Sequence, residues 1–200
     1  GEVLALIHRE DAVAHAAVAL ALPRMEEAVE VLACVIAGGG RWFNVGAGTS
    51  GRIGVLDASE IPPTFGLSPR VVQAVIAGGE RAVRHAVEGA EDDPAAARLE
   101  LSERGLGLGD AIVAISASGR TPFVLGAVEL AHEVGARSIG ITCDPHSPLA
   151  EAVEIALCAP VGPEAVAGST RMKGGPAQKL ILAALSTEEL KALARQEHPN

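Results

Sequence analysis

The chain has 200 residues, a formal net charge of −9 and 48% hydrophobic residues, with only 2% aromatic residues. This length suffices for one well-buried domain, and an aliphatic core favours layers of helices and sheet over an aromatic-rich β-sandwich. The negative charge and the few stacking aromatics argue against nucleic acid as a partner, because phosphate backbones require clustered Lys and Arg.

Helical patterns and short apolar runs alternate along the chain. The first two predicted helices cover residues 2–22 and 23–37, and a glycine run at 38–40 marks their end. Apolar runs follow at 41–45, 71–77, 111–116, 137–142 and 154–159. Predicted helices lie between them, starting near residue 50 and covering 80–88, 94–104 and 121–134, and a last helix runs from about 173 to 196. Continuous apolar runs separated by helices are typical of buried parallel strands.

These elements predict an α/β fold, a three-layer α/β/α sandwich with a five-stranded parallel sheet of the flavodoxin-like kind. Helical extensions are expected at both ends, in residues 1–37 and 173–200, around a central domain of residues 38–172. In such sheets ligands bind at the carboxyl ends of strands, near the point where the strand order reverses. Turns rich in Gly, Ser and Thr follow the first and third apolar runs, so the binding site is expected there.

Cysteines, histidines and apolar stretches give further expectations. The three cysteines, Cys34, Cys143 and Cys158, are scattered, which is typical of reduced core thiols in a cytoplasmic protein. The six histidines show no metal-ligand spacing, so no metal is expected. The apolar stretch 16–22 is too short for a membrane span, and no signal pattern precedes it. We therefore expect a cytoplasmic protein with no membrane partner.

The turn after the first run, residues 46–51, has the G-x-G-x-x-G spacing of dinucleotide-binding loops. That function requires an acidic residue about 20 positions later, where the chain has Val71-Val72 within an apolar run. An insertion at 56–68, with a turn predicted at Pro62-Pro63, also separates the first helix from the second strand. Neither a Walker loop nor the G-x-S-x-G of hydrolases fits. The turn is therefore interpreted as an anion site rich in hydroxyls.

The turn after the third run, SASGRTP at 116–122, carries three hydroxyls and a glycine directly before a predicted helix. Free backbone N–H groups at a helix start attract anions, and short hydroxyl side chains add donors. The turn is therefore a candidate phosphate site. The alternative, an ordinary Ser/Thr N-cap, needs only one hydroxyl and stays open.

Four segments that follow one another through nearly the whole chain carry a family resemblance. They are VGAGTSGRIGVLDASEIPPTFG (45–66), AVEGAEDD (86–93), SASGRTPFVLGAVELA (116–131) and GSTRMKGGPAQKL (168–180). Together they resemble the N-acetylmuramic acid 6-phosphate etherase family, which has the sugar isomerase (SIS) phosphosugar-binding fold. The glucokinase regulatory protein shares the Ser/Thr-Arg-Met-Lys signature. Pro176 stands where the family commonly has Thr, and the family's further C-terminal helical region is absent from this sequence.

The resemblance implies a carbon–oxygen lyase of cell-wall amino sugar recycling that needs neither cofactor nor metal. It converts N-acetylmuramic acid 6-phosphate to N-acetylglucosamine 6-phosphate and D-lactate. The sugar ring opens, a base takes the C2 proton, lactate leaves from C3, and water adds back. The family's catalytic glutamates fall on Glu60, the acid, and on Glu91, the C2 base. The resemblance also implies a homodimer, and it makes residues 38–172 the SIS domain.

Candidate substrate-binding residues lie in both turns and at the start of the last helix. The phosphate-binding hydroxyls of the SIS fold fall on Ser50, Ser116, Ser118 and Thr121, and the turns add Gly48, Thr49 and Gly119. The remaining candidates, Arg171 and Lys173, are cations at a helix start, where the helix dipole disfavours positive charge. A bound anion or a buried carboxylate partner is therefore expected beside them, with an exposed salt bridge as the alternative.

Breaking an ether β to a carbonyl requires one carboxylate that accepts a proton and one carboxyl that donates a proton. Burial of one of the two would favour its protonated form. Glu88 shares a face with Glu91 if that segment is helical, which makes Glu88 the reserve candidate for the base. Asp57 is expected to form local hydrogen bonds.

Two alternatives to the etherase stay open. A non-catalytic, regulatory SIS module that binds a phosphosugar would need the hydroxyls but neither acid nor base. An aldose–ketose isomerase would share the base but would leave the second acid without a role.

Overall fold

The computed structural model describes residues 1–197 as a sheet enclosed by helices. The strands are β1 (Trp42–Gly46), β2 (Val72–Ile76), β3 (Ala111–Ile115), β4 (Arg137–Thr142) and β5 (Ile155–Cys158). The helices are α1 (Glu2–Ala19), α2 (Leu22–Ala37), α3 (Gly48–Phe65), α4 (Gly79–Arg84), α5 (Pro94–Glu103), α6 (Pro122–Val134), α7 (Pro148–Ala152) and α8 (Gly174–Glu197). A 3₁₀ helix, Ala90–Asp92, lies between α4 and α5.

The five strands form one parallel sheet in the order β2-β1-β3-β4-β5. This is the flavodoxin-like order, and the predicted fold is confirmed. The order reverses between β1 and β3, where Gly46 pairs in register with Ile115. The turns that follow these two strands therefore begin side by side.

Hydrophobic residues cover both faces of the sheet. Along β1, Trp42 lies in the cluster that contains α1, α2 and α8, whereas Phe43 lies in the cluster that contains α5 and α6. This alternation explains the continuous apolar runs, because strands covered on both faces need apolar residues at successive positions. The predicted helical extensions at both ends thus pack on one face of the sheet, although residues 198–200 of the last segment lie outside the described residues.

Helix α3 is longer than the sequence pattern predicts. The prediction of a turn at Pro62-Pro63 was wrong, because both prolines lie in the last turns of α3. Each proline lacks one backbone donor, yet the helix continues to Phe65, since Ile61 and Phe65 pack in the core. Gly66 ends the helix with φ +74°, and its N–H donates to the Pro62 carbonyl.

Helix α4 is shorter than predicted and ends at Arg84, because His85 has extended backbone angles. Glu88 therefore lies in a turn, while Glu91 lies in the 3₁₀ helix after Gly89. The predicted common helix face of Glu88 and Glu91 is not formed.

Cys34 is exposed, contrary to the expected core position, while Cys143 and Cys158 are half-buried, and all three are free thiols. Among residues 1–197, no helix is long and apolar enough to cross a membrane.

Candidate functional site

The glycines of the first turn meet different structural requirements. A Cβ on Gly46 would lie 2.6 Å from the Gly51 nitrogen, and one on Gly51 would lie 2.5 Å from Cγ1 of Ile76. These two glycines therefore let α3 pack closely on the sheet. Gly48 has φ +52° and open space around its Cβ position. The first intrahelical bond joins the Gly51 N–H to the Ala47 carbonyl, so the N–H groups before it have no intrahelical acceptor and suit an anion.

The second turn is a cluster of hydroxyls. The Ser116 Oγ lies 2.9 Å from Thr121 Oγ1 and 3.4 Å from Ser118 Oγ, and it accepts the Gly119 N–H at 3.1 Å. Thr121 is the N-cap residue of α6, but its side chain makes no cap hydrogen bond. The N-cap alternative therefore does not describe this hydroxyl. Gly119 has φ +63°, and a Cβ there would lie 2.1 Å from the Ser147 Oγ, so the turn requires glycine.

The start of α8 contacts both turns. A Cβ on Gly174 would lie 3.3 Å from the Ala117 Cβ, and one on Gly175 would lie 3.3 Å from the Thr49 methyl group. The signature segment 168–180 thus contacts the same edge of the sheet as the two turns.

Two carboxylates of the protein accept hydrogen bonds from N–H groups and from the Lys173 ammonium at the start of α8. The N–H groups of Lys173 and Gly174 donate to the Glu164 carboxylate at 2.8 Å and 2.9 Å. The Lys173 ammonium, whose side chain is 4% exposed, donates to Glu10 of α1. The carboxylate partner of Lys173 is therefore Glu10, which is half-buried and gives Lys173 a structural contact, whereas Arg171 is exposed.

Glu91 lies beside the first turn. A cavity of about 200 Å³ is lined by Gly48, Arg52, Glu88 and Glu91, among others. The Arg52 guanidinium donates to the carbonyls of Val83 and His85, and so holds the segment that leads into this cavity. Glu88 and Glu91 are both exposed to solvent here.

Glu60 lines a different cavity. This groove of about 310 Å³ runs between α3 and α8, and apolar side chains line it together with polar and charged ones that include Asp57, Glu60 and Lys179. Ten residues of helix separate Glu60 from Ser50, about 15 Å along the axis. Glu60 is exposed. The cavity that Glu60 lines and the cavity that Glu91 lines share no lining residue.

Asp57 is a carboxyl in this groove whose surroundings shift its pKa. Burial raises the pKa of Asp57 to about 6, although hydrogen bonds from Ser186 and Asn44 and the charge of Lys179 act in the opposite direction. Ser186 Oγ donates to Asp57 at 2.8 Å, and the Trp42 indole N–H donates to the Asn44 Oδ1 at 2.7 Å. The expectation of local hydrogen bonds was wrong, because the partners of Asp57, Asn44 and Ser186, lie 13 and 129 positions away in the chain. Its raised pKa had no signal in the sequence, because burial depends on the packing of α8.

Gln178 is a further residue that the sequence pattern does not indicate. Its Oε1 accepts a hydrogen bond from the Ser50 Oγ at 2.9 Å, between α8 and the first turn of α3. The signature segment contains Gln178, but no spacing rule assigns it a partner 128 positions away.

Two family models of SIS domains match this chain. The family model described as the glucokinase regulatory protein N-terminal SIS domain matches residues 24–132, and the SIS domain model matches residues 103–187. N-acetylmuramic acid 6-phosphate etherases from Pectobacterium atrosepticum and Jannaschia sp. are 48% and 47% identical, over 93% and 97% of this chain. In both cases the chain spans 61% of the relative's length. These names confirm the resemblance that the four motifs indicated.

Solved structures share the fold at low identity. A phosphoheptose isomerase GmhA from Neisseria gonorrhoeae superimposes with a TM-score of 0.72 at 20% identity, covering 96% of this chain and 97% of its own. A NanR protein from Vibrio vulnificus, complexed with ManNAc-6P, has a TM-score of 0.65 at 20% identity, covering 99% of this chain and 64% of its own.

Proposed function

The chain belongs to the family described as the glucokinase regulatory protein N-terminal SIS domain, whose model matches more than half of it, and we propose that it acts as an N-acetylmuramic acid 6-phosphate etherase. The proposed reaction releases D-lactate and leaves N-acetylglucosamine 6-phosphate. Support comes from relatives that bear this name and are 47–48% identical over most of the chain. The free thiols favour a cytoplasmic location.

The proposed phosphate site is the pair of turns after β1 and β3. Ser50, Ser116, Ser118 and Thr121 supply hydroxyl donors, and the free N–H groups at the start of α3 add backbone donors. The phosphate anchors the open-chain sugar so that its C2 and C3 atoms are held near acidic side chains. A sugar phosphate fits this edge because the strand order reverses between the two turns.

Glu91 is the proposed base and Glu60 the proposed acid. Glu91 takes the C2 proton, the C3–O bond breaks with departure of the lactyl group, and Glu60 protonates the departing oxygen. Addition of water to the resulting double bond completes the conversion. The observation that carries the proposal is that Glu91 and Gly48 line one cavity, which brings a carboxylate beside the phosphate turn.

A homodimer is part of the proposal, with each site built from two chains. Glu60 lines the groove between α3 and α8, whereas Glu91 lines the cavity beside Gly48. Glu60 of one chain can complete the site of its partner if the two grooves face each other across a two-fold axis.

A phosphosugar-binding regulatory module is the second candidate. The match to the glucokinase regulatory protein model and the separate cavities of Glu60 and Glu91 favour it. A module of this kind would use the hydroxyl turns and would release no lactate.

Incubation with N-acetylmuramic acid 6-phosphate and an assay for D-lactate tests the proposal. Lactate release is expected from the wild type. Glu91→Gln should abolish exchange of the C2 proton with solvent deuterium, because no base remains to accept that proton. Glu88→Gln is the matched control and should retain exchange. Tight binding of the substrate without lactate release would favour the regulatory module, and exchange at the wild-type rate in Glu91→Gln would exclude Glu91 as the base.

A further inference from the structure

The Gln178 amide carries a buried nitrogen without a partner. Gln178 is 1% exposed, and its Oε1 accepts the hydrogen bond from Ser50, which is 8% exposed. In the part of the chain that the structure describes, the Nε2 of Gln178 is the one buried side-chain polar atom found without a hydrogen-bond partner. Buried donors are rarely left unpaired, so such an atom calls for an explanation.

We propose that Gln178 is a positioning residue that controls the direction of the Ser50 hydroxyl group. When a sugar phosphate binds, this hydroxyl turns away from the Gln178 Oε1 and donates its hydrogen bond to a phosphate oxygen. In the arrangement of the structure, the Ser50 Oγ donates to the Gln178 Oε1 at 2.9 Å. When the amide turns over, Nε2 donates to the Ser50 Oγ, and the hydroxyl proton becomes available to a phosphate oxygen. The inference rests on the proposed function, because it requires that Ser50 binds the phosphate.

The chemistry of both groups supports this exchange of partners. A hydroxyl donates one hydrogen bond and accepts two, so Ser50 can accept from Gln178 and donate to phosphate at the same time. The turned amide leaves Oε1 unpaired instead of Nε2, and buried carbonyl oxygens tolerate this better than N–H groups do. A hydroxyl that donates to an anion also forms a stronger bond than one that donates to an amide.

The packing around Ser50 keeps Gln178 within reach of this hydroxyl. Ser50 lies in the first turn of α3, and Gln178 lies in the second turn of α8. The start of α8 contacts the preceding residue, since a Cβ on Gly175 would lie 3.3 Å from the Thr49 methyl group. A phosphate bound at the start of α3 would contact Ser50 while Gln178 stays within hydrogen-bond distance of the same hydroxyl.

Binding of N-acetylglucosamine 6-phosphate, measured by titration calorimetry, tests the inference. Gln178→Met has similar length but no hydrogen-bonding group, and it should weaken binding about tenfold, as should Ser50→Ala. The double variant should bind no more weakly than Ser50→Ala alone, because both changes remove one shared interaction. Gln73→Met, which changes a glutamine on β2, is the matched control and should bind as the wild type does. Binding of N-acetylglucosamine without phosphate should not change in any variant.

Further measurements separate positioning from a loss of structure. Gln178→Leu should repeat the effect of Gln178→Met, and thermal unfolding reports whether each variant is folded. In turnover, Gln178→Met should raise KM and keep kcat, because the phosphate is bound alike in the ground state and the transition state.

Losses that multiply, giving about 100-fold weaker binding in the double variant, would overturn the inference. Wild-type affinity in both Gln178 variants would overturn it as well. Failure of the proposed function gives a different result, namely a wild type that binds the phosphosugar but releases no lactate. The coupling of Ser50 and Gln178 would then still be measurable by binding.

Discussion

Asp57 and Glu60 stand about one turn apart on α3 and line the same groove, but their environments differ. Glu60 is exposed, whereas Asp57 is half-buried and accepts hydrogen bonds from Ser186 and Asn44. Burial disfavours the ionised carboxylate, and these hydrogen bonds offset only part of that effect, so the pKa of Asp57 rises to about 6. Asp57 therefore changes its charge near pH 6 in the groove that Glu60 also lines.

Asp57→Asn is expected to change how the free energy of unfolding depends on pH. An acid whose folded-state pKa is raised stabilises the fold most when it is protonated, and that contribution is lost as pH rises from about 4 through about 6. Between about pH 4.5 and pH 7.5, the wild type should lose about 2 kcal/mol relative to Asp57→Asn. Urea unfolding at the two pH values measures this difference. Stability curves that stay parallel for the two proteins would contradict the raised pKa.

Among the elements, α8 connects parts of the chain that are far apart in sequence. At its start, the N–H groups of Lys173 and Gly174 donate to the Glu164 carboxylate, and the Lys173 ammonium reaches Glu10 on α1. Gln178, one turn later, contacts Ser50 of α3. Helix α8 thus determines the position of α1 relative to both phosphate turns.

Glu10→Gln should destabilise the protein by about 2–3 kcal/mol, because it leaves the Lys173 ammonium buried without a counter-charge. The effect stays below that of a fully buried pair, since the Glu10 side chain is 32% exposed. Lys173→Met should have a smaller effect, because it leaves a carboxylate that water can reach. Asp11→Asn, at an exposed position on the same helix, is the matched control.

Chemical unfolding of the four proteins and of the double variant measures these effects. The double variant should be more stable than Glu10→Gln alone, because it no longer contains the buried unpaired cation. Equal losses from Glu10→Gln and Asp11→Asn would show that the ion pair does not hold α1.

The predicted secondary structure agrees with the observed elements where an apolar run alone determines the element. The strand predicted at 111–116 was observed at Ala111–Ile115, because a strand buried on both faces needs an unbroken apolar run. The continuation of α3 through Pro62-Pro63 was missed, since tertiary contacts of Ile61 and Phe65 outweigh the lost backbone bonds. Helix α7, Pro148–Ala152, was also missed, because one turn of helix gives no periodic pattern.

For the molecule as a whole, the sequence predicted where the two turns meet but not what surrounds them. The strand order brings the turns after β1 and β3 together, as the fold class required. Contacts such as Glu10 with Lys173 and Ser50 with Gln178 join residues more than 100 positions apart, and no local pattern encodes them. The family resemblance was the sole basis for choosing Glu60 and Glu91 among 25 acidic residues.

The homodimer with shared sites predicts that two inactive variants restore each other. Glu60→Gln and Glu91→Gln should each be inactive alone, because each lacks one proton-transfer group. When equal amounts of the two variants are refolded together, random pairing gives dimers of which half contain one chain of each variant. Each mixed dimer holds one site with both glutamates and one site with neither, so about one quarter of the wild-type lactate release should return. If both glutamates of a site belong to one chain, the mixed dimer has no intact site and no activity returns. A mixture of Glu60→Gln with the double variant Glu60→Gln/Glu91→Gln is the control and should stay inactive in either case.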